Sequence, residues 1–553
     1  MKKQIRQSYL ALGVSITATT LLLSGCAGSD TVGEPLGDPI SGGTLTYATG
    51  EVEPSCLDPV VSGNVSQALV STQYLESLFF QDDNGEIQPW LAKSWKWSDD
   101  RLSLEVTLRD DVTFTDGAPL NASTITANVA HIKDPATRSS TARLAIEKVT
   151  SVDELDSHTA RINLSEPDNA LLEQFSQAWV PIESQAALSR GVDENCLAPV
   201  GTGPFKVDSW QKQQQITLTR NENYNTAPPN SDHTGVAYLD KIVWRFLPDD
   251  TARFAALQSG EVDVIDVIQP QDVVAAQSDP SLKTLIGSRP GQVVNLTFNT
   301  TRAPFDDVKV REAFVRSVDV DAALTSIFLG TVPRTNSMLS SVTKFSRQDP
   351  QGFATDVDHA NQLLDEAGWT QRDSDGYRIK DGNRLSAKVV QASIVLIPVP
   401  ILEQFQASAK NVGIELNISQ VEPAAFWTTL SAWDYDLAPL YYSKNSPAVL
   451  NLTNDSSHVD PVFAGGFHSN SNGLKSEESV ELDTVLRAAA VTANETERGQ
   501  LYDKAQQIIN SQYLHLPIYD QQTRLGFRSD LAGVRFISPL SMPTFYDTWL
   551  DRS

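Results

Sequence analysis

The chain has 553 residues, of which 40% are hydrophobic and 20% charged, and a formal net charge of −26. It is longer than one hydrophobic core can serve, so two or three domains are expected. So acidic a surface argues against binding nucleic acid or adhering to anionic lipid, and otherwise mainly favours solubility.

Lys2, Lys3 and Arg6 precede an almost uncharged run from Tyr9 to Leu23, the pattern of a secretory signal. The run is too short for a membrane span. It ends in Leu23-Ser24-Gly25-Cys26, which is similar to a bacterial lipobox. Residues 1–25 would then be removed and Cys26 would carry the lipid, holding the protein at the extracytoplasmic face of the cell membrane. Removing the leader takes the net charge from −26 to −29. Residues 26–43, rich in Gly, Ser, Asp and Pro, suit a flexible tether. No other stretch has the apolar run of a transmembrane helix. Cys56 and Cys196 remain, in a compartment where disulfides persist; a bridge between them is expected, with two buried free thiols as the alternative.

Leu45 and Tyr47, set among threonines, predict a strand, and a helix follows over roughly Gln67 to Leu78. Leu102, Leu104, Val106 and Leu108 alternate with polar residues, the period of a strand with one buried face. Val112 and Phe114 start a second alternating run that ends at the Asp116-Gly117 turn, so a small antiparallel sheet is expected there. Asn121 or Ser123 can cap a helix with Ile125, Val129 and Ile132 on its apolar face. Two strands are read around Asp156-Ser157. Gly201-Thr202-Gly203 lacks the Lys-Ser/Thr of a phosphate loop and reads as a tight turn. Amphipathic helices are expected over Asp358–Trp369, from about Ile401 to Val412, and over Glu497–Ser511.

The order P-x-L-A-x-S-W, S-D-D, L-R-D-x-V-x-F-x-D-G across Pro89–Gly117 resembles the signature of the family 5 extracytoplasmic solute-binding proteins, the oligopeptide, dipeptide and nickel receptors of ABC importers. Pro199–Phe205 followed by R-N-x-x-Y, the segment around Leu257–Asp263, and N-T-x-x-x-P-F from Asn299 are similar to the same family. The resemblance covers nearly the whole mature chain. It implies an α/β fold of two lobes closing on a cleft, with an extra subdomain on the first lobe. The expected boundaries are 44–297 for the first lobe, with the subdomain at about 55–195, 298–516 for the second, and 517–553 for the return to the first.

A receptor rather than an enzyme is implied. The chain holds no G-x-S-x-G elbow, no H-E-x-x-H, no paired C-x-x-C and no complete P-loop, and its seven histidines are scattered. No cofactor and no metal are expected. The family's binding wall carries D-Y-D, four residues, then G-W-x-A-D-Y; here Asp434-Tyr435-Asp436 precedes LAPL and Tyr441-Tyr442-Ser443-Lys444-Asn445. The spacing puts Tyr442 at the aromatic position and Asn445 where peptide receptors resemble one another in having an Asp. An Asn accepts the hydrogen bond of a peptide ammonium but cannot neutralise its charge, so Asp434 or Asp436 would have to take over or the ligand would lack a free amine. Tyr441, Trp433 and Trp427 are further aromatic candidates, with core packing as the alternative. Arg143 lies where nickel receptors present an arginine, with an exposed surface arginine as the alternative.

The expected function is capture of peptides, or of another small solute such as a nickel chelate, haem or glycan, by a monomer that delivers them to a membrane permease. An extracellular hydrolase is the rival from another class.

Overall fold

The computed structural model describes residues 37–460, 468–537 and 540–552. The expected signal, the lipidated Cys26 and the tether as far as residue 36 lie outside the described residues. Pro39–Ser553 forms one compact unit.

Two mixed sheets organise that unit. The first has seven strands, in the order Leu282–Ser288, Gln522–Arg528, Val264–Asp266, Thr44–Thr49, Lys241–Phe246, Gln215–Arg220 and Phe205–Gln211. The Thr44–Thr49 strand lies parallel to both of its neighbours, and Leu45, Tyr47 and Ala48 are fully buried, so it is the spine of this lobe. The second has five strands, in the order Glu415–Gln420, Ser386–Gln391, Leu437–Ser443, Gly291–Phe298 and His515–Tyr519. Every residue of Gly291–Phe298 is buried.

These memberships move the expected lobe boundaries. The resemblance has Val294–Asn299 leading the chain out of the first lobe and His515–Tyr519 returning it, but both strands belong to the second sheet. The chain crosses between sheets at Arg289-Pro290 and again at Asp520-Gln521. A wholly buried strand carries no sign of which sheet it joins, so the boundaries expected after 297 and after 516 fall inside these two strands instead of before the first and after the second.

The subdomain is a four-stranded antiparallel sheet, ordered Ala92–Trp97, Ser103–Leu108, Thr159–Leu164 and Val149–Glu154. Leu104, Val106 and Leu108 form its buried face. The strand's partner is Ala92–Trp97 rather than the Val112–Phe114 run. That run stays outside the ladder because Asp116-Gly117 folds it back too soon, with the Phe114 amide bonding to the Ala118 carbonyl at 2.8 Å. Asn121 caps the helix Ala122–Lys133 by accepting from the Thr124 amide at 3.2 Å.

The first helix, Val65–Ser71, is shorter than expected. Below it runs the backbone of Tyr74, against which the Gly-Thr-Gly glycines pack. A Cβ on Gly201 would stand 2.0 Å from the Tyr74 carbonyl oxygen, so these glycines serve close approach of two backbones and not a turn. Cys56 and Cys196 are bridged, 140 residues apart in sequence.

Candidate solute-binding cleft

The two crossing segments lie side by side. The Arg289 amide donates to the Gln521 carbonyl at 2.7 Å, and the Gln521 side chain donates to the Gln292 carbonyl at 2.7 Å and accepts from Ser443 at 2.7 Å. The C-terminal end of Leu437–Ser443 reaches this hinge, where Ser443 pairs with Gly291 and bonds to Gln521, so the residues just beyond that strand face the space between the sheets. Ligands of open α/β sheets bind beyond such strand ends.

Three cavities open between the lobes. One of about 200 Å³ is lined by Val65, Leu144 and Trp179 from the first lobe and by Tyr441, Tyr442 and Lys444 from the second. It shares Leu144, Lys444 and Leu452 with a cavity of about 400 Å³, whose charged lining includes Glu147, Asp168, Glu173, Lys344 and Arg498. A third of about 410 Å³ lies beside Pro290, Lys344, Asn445 and Arg535.

Burial raises the Tyr442 hydroxyl above the ordinary tyrosine range, and it lowers the Lys444 ammonium, an effect the nearby Asp168, Glu147 and Glu173 oppose. The Lys444 ammonium has no hydrogen bond or ion pair among the described residues. Burial likewise pushes the Glu173 carboxyl up to about 7. The walls thus offer three aromatic rings, an unpaired cation and a carboxyl that is easily protonated.

Hydrogen bonds join the lobes around these cavities. Asn445 donates to the Glu173 carbonyl at 2.6 Å and to Ser176 Oγ at 2.9 Å, and its own carbonyl accepts from the Gln81 side chain at 3.1 Å. Asn169 donates to the Thr492 carbonyl at 2.6 Å, and Lys344 pairs with Glu86 at 2.7 Å. Asn445 is therefore a clasp between lobes through its side-chain nitrogen, while its Oδ1 is buried with no hydrogen-bond partner among the described residues.

The remaining candidates from the sequence are engaged elsewhere. Asp436 stands just before the strand Leu437–Ser443, at the end away from Tyr442; it pairs with Arg302 at 3.0 Å and accepts from the Lys388 amide at 2.7 Å. Asp434 pairs with Lys388 at 2.8 Å. Neither reaches the cleft to replace the missing Asp at 445. Trp433 stacks with Tyr435 and lies against His468 at a ring separation of 4.8 Å, in the cluster behind that strand. Trp427 is 39% exposed on the helix Pro423–Ser431. Arg143 donates to the Lys133 carbonyl at 2.7 Å and so ties down the end of the Ala122–Lys133 helix.

The structure adds residues that the sequence pattern does not single out: Lys444, Val65 and Trp179. Lys444 sits inside the aromatic segment Tyr441–Asn445, a signal that is present but unspecific.

A candidate cation set lies in the subdomain. Asp58, His131 and Glu183 bring ligand atoms within 4.8 Å of one another. Most of their ligand atoms are engaged: His131 meets Asp58 at 2.8 Å, and the Asn195 amide donates to Asp58 at 3.1 Å and to Glu183 Oε2 at 2.8 Å, leaving Glu183 Oε1 buried with no hydrogen-bond partner among the described residues. Burial, with Asp58 beside it, pushes the Glu183 carboxyl well up, so a proton supplies the balance a cation would bring.

Residues 86–461 match the family model described as bacterial extracellular solute-binding proteins, family 5 middle. The chain is 26% identical over 572 residues to heme-binding protein A of Haemophilus influenzae, covering 97% of this chain and 98% of that protein. It is 26% identical over 489 residues to the glutathione-binding protein GsiB of Escherichia coli K12, covering 86% and 89%. Its fold superposes on NikA from Brucella suis, solved with Fe(III)-EDTA, with a TM-score of 0.82 at 23% identity, covering 92% of this chain and all of that one. Two lobes on a double crossing, cavities between them, and a family match over most of the chain make this protein a member of the family 5 extracellular solute-binding proteins of ABC importers.

Proposed function

We propose that the protein is a membrane-anchored receptor, lipidated at Cys26, that captures small peptides in the interlobe cleft and passes them to a membrane permease without chemically altering them. The observation that carries this reading is the double crossing, Arg289-Pro290 beside Asp520-Gln521, with the cavities lined from both sides of it. With the backbone passing between the lobes, among the described residues, in two such two-residue segments, the lobes can close by small changes of backbone angle. Tyr441, Tyr442 and Trp179 supply faces for a peptide's planar groups, and the roomier charged cavity tolerates varied side chains. The similarity to a glutathione-binding protein supports a peptide, and the similarity to a heme-binding protein favours haem as the second reading.

Native mass spectrometry of the chain from Ala27 onward, purified gently enough to retain captured ligand, tests the choice. Extra masses that fragment as peptides are expected. A single non-peptide mass, or bare protein that later takes up haem or a nickel chelate but no peptide, would overturn the substrate and keep the family.

A further inference from the structure

Asp58, His131 and Glu183 stand apart from the cleft: none of them lines the three cavities between the lobes. Each is held in place by contacts that do not use its ligand atoms. Asn128 and His131 are three residues apart on the helix Ala122–Lys133, so they share a face. Asn128 accepts from the Glu183 amide at 3.0 Å and donates to the Glu183 carbonyl at 2.8 Å, which fixes that backbone beside His131. Asp58 follows the bridged Cys56 by two residues, and its Oδ1 accepts from the Val60 amide at 2.8 Å, leaving Oδ2 for the group. Asn195, next to the bridged Cys196, holds Asp58 Oδ2 and Glu183 Oε2 with one side-chain nitrogen.

What the group lacks is positive charge. Both carboxyls are fully buried, and among the described residues no lysine or arginine pairs with either. His131 is a poor substitute. Thr137 Oγ1 gives its hydrogen to the His131 carbonyl at 2.7 Å, so towards the ring Nδ1, 3.4 Å away, it can only accept. A neutral ring protonated at Nδ1 turns the lone pair of Nε2 on Asp58 Oδ2 at 2.8 Å. The two carboxyls also come close enough for a hydrogen bond between them when one is protonated, and Glu183 Oε1 has no other partner among the described residues. Lone pairs from three side chains therefore converge on one buried place, and such an arrangement is costly unless a cation stands there.

We propose that Asp58, His131 and Glu183 bind a divalent transition-metal ion, Zn2+ being the one that fits best, and that this ion pins the segment after Cys56 to the subdomain. Two carboxylates and a neutral imidazole match a dication in charge. The imidazole favours zinc and its neighbours over Ca2+ and Mg2+, which take oxygen ligands. Ligand atoms within 4.8 Å of one another have to draw together by about an ångström to reach metal bonds of about 2.0–2.2 Å. Asn195 stays on the carboxylates and Thr137 on the imidazole, as the outer partners that orient metal ligands. The proton that otherwise balances the carboxyls leaves to solvent as the ion enters. His131, whose side chain is 9% exposed, opens the way in. The three ligands come from segments far apart in sequence, so no metal-binding spacing announces them.

The test is Zn2+ binding by the chain from Ala27 onward, with the Cys56–Cys196 bridge intact, after stripping with EDTA and desalting. Calorimetric titration, and zinc content by mass spectrometry after gel filtration, should show one Zn2+ held per chain. The bound ion should raise the unfolding midpoint, because it binds the folded state alone. Glu183→Gln and His131→Gln should each weaken Zn2+ binding at least about a hundredfold, the upper end of what loss of an outer-shell partner costs, and remove the rise in midpoint. Circular dichroism of the metal-free variants shows whether they fold; if one does not, the other and the parent titration decide. No zinc retained by the parent, or zinc held as tightly by a folded variant, overturns the site. Uptake of Ca2+ or Mg2+ in preference to Zn2+ overturns the metal class.

Discussion

His515 opens the strand His515–Tyr519, with its ring nitrogens 2.9 Å from Asn454 Oδ1 and 3.0 Å from Thr297 Oγ1. No carboxylate compensates its burial, which pulls the imidazole down to about 3. An imidazole in the unfolded chain titrates near 6.5, so between these values the unfolded state binds the extra proton. The stabilisation is whole above about pH 6.5 and is lost as pH falls towards 3, about 3 kcal/mol of it by pH 4. Glu76 works the other way. Burial raises it to about 7 despite the hydroxyls of Thr202, Tyr224 and Thr226 on its oxygens, so its contribution is present below the ordinary carboxylate range and declines as pH rises through 7. The parent protein shows the sum, and His515→Gln isolates one part. Urea unfolding at pH 7 and pH 4 should show a smaller acid loss in the variant by about 3 kcal/mol. The same acid loss in both proteins would mean that the ring is not held neutral.

At the scale of elements, the Cys56–Cys196 bridge joins the loop before the helix Val65–Ser71 to the helix Val192–Leu197. The Leu57 amide donates to the Cys196 carbonyl at 2.8 Å beside it, and the Asp58–Glu183–His131 group sits against the same loop. Closing a loop of this length removes denatured-state entropy worth up to about 5 kcal/mol in the chain-entropy model. Replacing both cysteines by serine should lower the free energy of unfolding by a large part of that. Iodoacetamide applied to the unreduced, denatured parent should label neither residue; labelling of both would show that the bridge does not form. The subdomain sheet shows how far pattern reading goes at this scale. The alternation of Leu104, Val106 and Leu108 marks the strand and its buried face, because side-chain period is a local property. It does not mark the strand's neighbour, because which strands pair depends on how the intervening loops turn.

For the whole molecule, closure depends on a few contacts between lobes, and Asn445 makes two of them through one side-chain nitrogen. Asn445→Ala should weaken ligand binding by about 1–3 kcal/mol by removing bonds made only when the lobes meet, and the ligand-bound form should be more extended in small-angle scattering. Asn445→Asp separates the two roles considered for this position. As a clasp it puts a carboxylate against the Glu173 carbonyl and weakens binding at least as much; as an ammonium anchor it would tighten free-amine peptides. Tighter binding by Asn445→Asp would refute the clasp.

The sequence by itself determined the family, the receptor class, the α/β composition and the aromatic pair Tyr441-Tyr442, because these are written in local period, turn chemistry and the order of motifs. It also marked the departure at Asn445, though not its consequence. Tertiary structure alone decided that Gly291–Phe298 and His515–Tyr519 belong to the second sheet, that Asp436 and Trp433 face away from the cleft, and that Trp179 of the first lobe meets Tyr441 and Lys444 of the second in one cavity. The physical reason is distance along the chain. Trp179 and the pair Tyr441 and Lys444 come from segments far apart in sequence, and which side chains meet depends on where the fold places the elements that carry them.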